Sequence, residues 1–192
     1  MRTKKYIVGA LRVSVTNIRL FIGKIFNRGR LKFSPITCLG FSDIVTLSNK
    51  ASIDFGKKLR TRGLCIFNAQ ENGRLEFGSN VFINRGCSFN CHDHIKIGDN
   101  CEIGPNVLIY DHDHDYKSPN GIKDNLFLSE KVTIGKNCWI GANSVILKGT
   151  VIGDNSVVAA GVVLKGAYPA NSLIVQKRTT NYKIIKNEQK NN

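Results

Sequence analysis

The chain has 192 residues, with 28 Lys or Arg against 14 Asp or Glu and a formal net charge of +14. That length suits one domain with a sizeable core, and six cysteines with no CxxC spacing argue against a small disulfide-framed module and the common zinc motifs. Nucleic acid, anionic lipid and phosphorylated ligands all stay open as partners, because charge alone does not choose among them.

The first segment, Met1 to Lys32, is basic: residues 1–42 hold nine Lys or Arg and no Asp or Glu. Ile7, Leu11, Val15, Ile18, Ile22 and Ile25 recur at helical spacing, and Arg12, Arg19 and Lys24 break any continuous apolar run. The apolar stretches are too short to cross a membrane. The YIVGAL run resembles a signal peptide, but Arg12 cuts it and no small-x-small cleavage site follows. Two readings stay open here. The helix packs on the rest of the molecule or on a neighbouring subunit, or it rests as a basic amphipathic helix on the cytoplasmic face of a membrane.

From Phe41 an apolar residue returns every six positions: Phe41, Leu47, Ile53, Leu59, then Phe77, Ile83, Phe89, then Ile97, Ile103, Ile109. The phase is disturbed between Cys65 and Gly73, where NAQENG reads as a turn or a small protrusion, and slips by two between Cys91 and Ile95; each slip is a place for the chain to leave a coil. Between Ile109 and Ile134 there is no phase at all. A long extruded loop without regular structure, about 110–131, is expected there, and such loops are usually functional.

The most regular stretch follows, Val132 to Gly166. Ile134, Ile140, Ile146, Ile152, Val158 and Leu164 form one column, and Cys138, Ser144, Thr150, Ser156 and Val162 form a second column of small residues. Glycine often follows the aliphatic (Gly135, Gly141, Gly153), and asparagine stands three places after it (Asn137, Asn143, Asn155). Periods of 3.6 and 2 do not produce a strict six, whereas a short strand and a turn repeated around a coil do. Asparagine and glycine supply the corner conformations. This is the hexapeptide signature of a β-helix. Cys87, Cys101 and Cys138 fall on the small inward column as small hydrophobes, so the cysteines are read as reduced and structural, which favours the cytoplasm. The expected division is a basic helical segment at 1–40, a β-helix at 41–166 and a closing segment with a polar, frayed tail at 167–192.

The segment IGDNCEIGPNVLIYDHDHDY, the loop after it, and VTIGKNCWIGANSVILKGTVIGDNSVVAAGVVLKGAYPANS together resemble the hexapeptide-repeat acetyltransferases. The layout is most similar to the maltose, galactoside and polysaccharide O-acetyltransferases. The likeness covers residues 77–183 well and leaves Met1 to Gly40 unexplained. It implies an all-β fold, a left-handed parallel β-helix, assembled as a homotrimer with active sites between subunits. It also implies direct acetyl transfer from acetyl-CoA to a saccharide hydroxyl, without an acyl-enzyme, with no nucleic-acid partner and no metal.

Attack of a hydroxyl on a thioester needs a base that is neutral near pH 7, a task that suits histidine. The four histidines come as two pairs, His92/His94 and His112/His114, and the second pair opens the long loop. The resemblance places the catalytic histidine at His114, with His112 as its neighbour and fallback. Asp111 and Asp113 are candidates to orient an imidazole or to contact a sugar, and the sequence does not decide between those roles. The tetrahedral intermediate needs an N–H donor, which the resemblance places at the backbone of Ala142, with Trp139 nearby as ligand contact or as a shield of the coil. It places CoA against Gly141, Ala142, Ala160 and Lys165, then against basic residues of the tail. There the pattern departs from the family: Gln176-Lys177-Arg178-Thr179 replaces the usual closing segment, and Lys165-Gly166 replaces a threonine-lysine pair. Lys177, Arg178 and Lys183 are the candidates for the missing charge. For the acceptor, Asn84 matches a hydrogen-bonding asparagine or is simply a corner, and His92 with Asp93 matches an acceptor aspartate.

Three rival readings belong beside this one. An N-acetyltransferase acting on a nucleotide amino sugar has the same sequence features. A γ-carbonic-anhydrase-like zinc enzyme would use Cys87, Cys91, His92, His94 and the later histidines, although their spacing matches no common zinc pattern. A non-catalytic β-helix scaffold would not bind acetyl-CoA.

Overall fold

Short strands joined by left-handed corners roll the chain into a three-sided prism. The computed structural model describes residues 2–48, 50–177, 179 and 181. The first face has six parallel strands, from Ile44–Leu47 to Val163–Leu164; the second has seven, from Leu31–Lys32 to Ala167–Tyr168; the third has six, from Arg60–Thr61 to Leu173–Ile174. The chain visits first, second and third faces in turn, so each strand pairs with the strand one coil earlier and one coil later. Pairing extends from Leu31 to Ile174, further at both ends than the repeat pattern alone marks.

The corners explain the asparagines. Asn80, Asn100, Asn137, Asn155 and Asn171 stand on the edge between the second and third faces, all with φ between 55° and 62°. Asparagine tolerates this left-handed backbone better than other side chains with a Cβ. Their amides also hydrogen-bond to one another down the edge, at 2.9 to 3.3 Å, so the corner residue of each coil is tied to the next.

The core fills the prism, and its width changes along the axis. Ile44 pairs with Ile66 and Ile66 with Ser88, a repeat of 22 residues, whereas Val145 pairs with Val163, a repeat of 18. The wider coils enclose Phe55, Phe67, Phe77 and Phe89, whose neighbouring rings lie 5.1 to 5.9 Å apart; the narrower ones hold only Ile, Val and Leu with small residues. This corrects the expectation at two of the three phase breaks. Around 65–73 and 91–95 the coil is intact and simply longer, with four-residue strands Ile66–Ala69 and Ser88–Cys91 making room for phenyl rings. Phe41, the first member of the expected column, is exposed.

The third break does leave the coil, but it is not an irregular loop. His112–His114 pairs antiparallel with Phe127–Ser129, and a 3-10 turn at Gly121–Asp124 lies between them, so residues 112–129 form a hairpin arm on the edge between the first and second faces. A one-sided hairpin carries no six-residue period, which is why the pattern missed it.

At the other end, helix α1, Arg2–Phe26, closes the first coil. Leu20 packs with Leu31 and Leu39, the Thr16 hydroxyl bonds both N and O of Leu39, and the Arg19 guanidinium donates to the carbonyls of Gly40, Phe41 and Asp43. Among the described residues no helix is long and apolar enough to cross a membrane.

Candidate active site

The fourth coil carries the arm, and what holds the arm is a buried carboxylate. Asp111, the last residue before the hairpin, is fully buried. Its oxygens accept from the backbone N–H of His92 at 2.8 and 3.1 Å and of Asp93 at 2.8 Å. Oδ1 also lies 2.9 Å from Nδ1 of His112. An ionised carboxylate only accepts, so the His112 Nδ1–H is the donor of this bond. Burial pushes the Asp111 carboxyl upward, but the hydrogen bonds from His112, the two amides and the Cys91 thiol outweigh it, and its pKa lies below the ordinary carboxylate value.

The imidazoles pack around this anchor. His92 and His112 stack with centroids 3.7 Å apart and planes 21° apart. Phe127, across the hairpin, touches His92, His112 and His114 at 4.5, 5.3 and 4.6 Å. His92 is only 8% exposed, and its Nδ1 is buried with no partner among the described residues. Burial, then the neighbouring His112, push its pKa below the usual imidazole range. His92 is thus packed into the stack, with little of its surface open to solvent. Asp111, fully buried, is bonded to the His112 imidazole. His114 is exposed, with its ring against Phe127 and no hydrogen-bond partner among the described residues. Asp113 pairs with Lys148 at 3.2 Å, and Lys148 also donates to the Leu128 carbonyl at 2.9 Å, pinning the arm to the next coil.

The residues expected to meet CoA stand elsewhere. Asn84, Gly141, Ala142 and Ala160 lie on the edge between the third and first faces, each following a third-face strand. There the backbone is bare. Neighbouring amides are used up in pairing (Gly141 to Val158, Asn143 to Pro105, Gly161 to Ala142), but the N–H groups of Ala142 and Ala160 donate to none of the described residues. A Cβ at Gly104 would lie 2.7 Å from the Ala142 nitrogen, and one at Gly141 would lie 2.5 Å from the Ala160 nitrogen. Glycine at both positions keeps the coils in close contact and these donors uncovered. Asn84 is not one of the left-handed corners, and its Oδ1 accepts from the Arg85 N–H at 2.9 Å. Trp139 is on the third face and 56% exposed. Lys165 is exposed on the hairpin edge, away from the bare amides, and Lys177 is exposed just past the last third-face strand. Arg178 and Lys183 lie outside the described residues.

Among the described residues no three His, Cys, Asp or Glu side chains converge as metal ligands. Cys87 and Cys91 point into the core, and the His94 ring is engaged 2.9 Å from Glu76.

Residues 131–165 match the family model described as hexapeptide repeat of succinyl-transferase. The chain is 32% identical over 136 residues to the Escherichia coli protein named "Putative lipopolysaccharide biosynthesis O-acetyl transferase WbbJ", covering 67% of this chain and 69% of that one. The chain belongs to the hexapeptide-repeat acetyltransferase family. It is also 39% identical over 103 residues to the galactoside O-acetyltransferase of Escherichia coli, covering half of each chain. Among solved structures it is similar to AntD, an N-acyltransferase from Bacillus cereus in complex with dTDP and 3-hydroxybutyryl-CoA, with a TM-score of 0.60, 20% identity and coverage of 73% of this chain and 74% of that one. That last likeness is one of fold.

For an acyltransferase of this family, two residues of the site went unread in the sequence. Phe127 packs on all three imidazoles, and Lys148 fixes the arm, yet neither lies in a motif. Only the antiparallel register of the hairpin brings Phe127 opposite His114, and only the stacking of coils brings Lys148 under Asp113.

Proposed function

We propose that this acetyltransferase moves the acetyl group of acetyl-CoA to a hydroxyl of a saccharide, one built into a surface polysaccharide, and that it works in the cytoplasm as a homotrimer. The observation that carries the reading is a free imidazole at one edge of the prism and free backbone amides at another: a base and an oxyanion donor on the same coils. His114 takes the proton of the sugar hydroxyl as its oxygen attacks the thioester carbonyl. Negative charge gathers on the carbonyl oxygen and meets the N–H of Ala142. The carbon–sulfur bond then breaks, the imidazolium returns its proton to the thiolate, and an acetyl ester and CoA leave with the histidine neutral again. No acyl-enzyme forms.

Because the two groups sit on different edges, the reading pairs His114 of one copy with Ala142 of the next, which a closed ring of three copies repeats three times. Asp111 and His92 hold His112 and the base of the arm; Asp93, on the same edge, and Asn84 are left for the acceptor. Gly141, Ala142 and Ala160 offer backbone to CoA, Trp139 an exposed ring, and Lys165 and Lys177 charge. The relatives at 32% and 39% identity named as O-acetyltransferases favour a hydroxyl over an amine acceptor.

The test is acetyl-CoA consumption by the purified chain across a panel of free sugars, nucleotide sugars, amino sugars and polysaccharides. Acetyl ester formation on a hydroxyl supports the reading. Amide formation on an amino sugar replaces it with the N-acetyl reading, and failure to bind acetyl-CoA removes it.

A further inference from the structure

Helix α1 is mounted the wrong way round for a helix that packs by its apolar face. The side it turns toward the coil carries Arg12, Thr16, Arg19 and Leu20, and it is attached mainly by hydrogen bonds to backbone: Arg12 to the Thr61 carbonyl at 3.0 Å, Thr16 to Leu39, and Arg19 to three carbonyls in a row. Leu11, Ile18, Phe21, Ile22 and Ile25 fall on the opposite side, each about half exposed or more, and Phe26 beside them is 82% exposed. Of the apolar column legible at helical spacing, folding leaves Leu11, Ile18, Ile22 and Ile25 uncovered and Val15 half-buried. A groove of about 350 Å³ runs along it, lined by Asn17, Ile18, Phe21, Ile22 and Phe33. A contiguous apolar stripe on a soluble surface marks an interaction site.

The charge around the stripe selects its occupant. Residues 1–42 contain no acid, and the first acid of the chain, Asp43, is buried and satisfied by Gly40, Thr61 and Cys65. Lys24, Arg28 and Lys32 are exposed around the helix end, and Lys57, Lys58, Arg60 and Arg62 are exposed on the first coil beneath. A second copy docked end to end on this stripe would bring two cationic ends face to face, and like charges across an interface oppose binding. An anionic surface is attracted by the same charges.

We propose that the outward stripe of α1 docks this end of the prism on an anionic phospholipid bilayer, with the helix lying in the interface plane. Its apolar side chains enter the headgroup–acyl boundary and its cationic surroundings meet lipid phosphates. The helix cannot go deeper, because its other side is fastened to the coil. The docked prism would stand away from the membrane, so the hairpin arm on the fourth coil stays clear of the lipid. Catalytic chemistry at His114 is independent of this surface.

The experiment is co-sedimentation of the full chain with vesicles of phosphatidylglycerol and phosphatidylethanolamine, against vesicles of phosphatidylcholine, at low and raised salt. The expected result is binding to the anionic vesicles that raised salt weakens, and at least about a tenfold loss of bound fraction for Ile18→Glu/Ile25→Glu. Both positions are exposed, and an unchanged circular dichroism melt and unchanged acetyl-CoA consumption check that the variant is folded. Equal binding to both vesicle types, or full binding by the variant, overturns the proposal. So does a change of oligomeric mass in the lipid-free variant, which would assign the stripe to a contact between copies. The salt and lipid dependence of the unmodified chain decides the question even where the variant folds poorly.

Discussion

The hairpin edge and the bare-amide edge are carried by the same coils, yet they are made of different atoms. At the hairpin edge the candidate groups are side chains, and each is held by another: Asp111 holds His112, His112 stacks on His92, and Phe127 packs against His92, His112 and His114. At the amide edge the side chains have been reduced to glycine and alanine so that backbone N–H groups stand free. A proton acceptor needs a tunable ring with an oriented lone pair, whereas a developing oxyanion needs only a fixed dipole. If His114 and the Ala142 N–H act as proposed, one repeat serves both needs, by interruption at one edge and by unbroken regularity at another.

The sharpest way to break this comparison is to remove the acting group from each edge. His114→Ala should lower kcat by about 10²- to 10⁴-fold, the range of a lost general base, with acetyl-CoA binding retained by calorimetry. Ala142→Pro deletes the proposed donor and should cost about 10²- to 10³-fold in kcat, with a thermal melt to confirm folding. Each variant alone should keep about a hundredth of the rate or less, but if the two edges meet between copies, trimers reassembled from an equal mixture should regain about a quarter of the wild-type rate, because a random neighbour supplies the intact partner that often. A mixture as inactive as its parts would return both groups to one chain.

Smaller effects sharpen the hairpin edge. Asp111→Ala leaves two buried amides and an imidazole N–H without an acceptor and should cost about 3 kcal/mol in urea unfolding, with activity falling in step. Acid should act in two stages. The folded-state pKa of His92 lies below its ordinary value, so the unfolded chain takes up that proton first and stability declines as pH falls through about 6.5. The contribution of Asp111, whose folded pKa is also depressed, is complete above about 4 and is lost as pH falls further. Urea midpoints measured from neutral to acid pH check this, and His92→Gln should abolish the upper stage alone. The smallest effect belongs to the amide edge: Trp139→Ala should leave stability within about 0.5 kcal/mol, as an exposed position does, and raise KM for acetyl-CoA without changing kcat.

The sequence by itself determined the coil. A column of aliphatics every six residues has one economical solution, because each residue of the column must enter the same core, and the asparagines mark corners since few other side chains accept φ near +57°. The family resemblance, not the periodicity, singles out His114 and Ala142. Tertiary structure decided what periodicity does not encode. The phase breaks at 65–73 and 91–95 are wider coils around Phe67 and Phe89, because ring volume sets the perimeter and no local signal records it. Residues 112–129 form an arm because pairing across a hairpin depends on register, so Phe127 meets the imidazoles and Asp111 is buried among donors. The same holds for α1: its spacing announced an apolar stripe, but only the bonds of Arg12 and Arg19 to the coil's carbonyls decided that the stripe faces out.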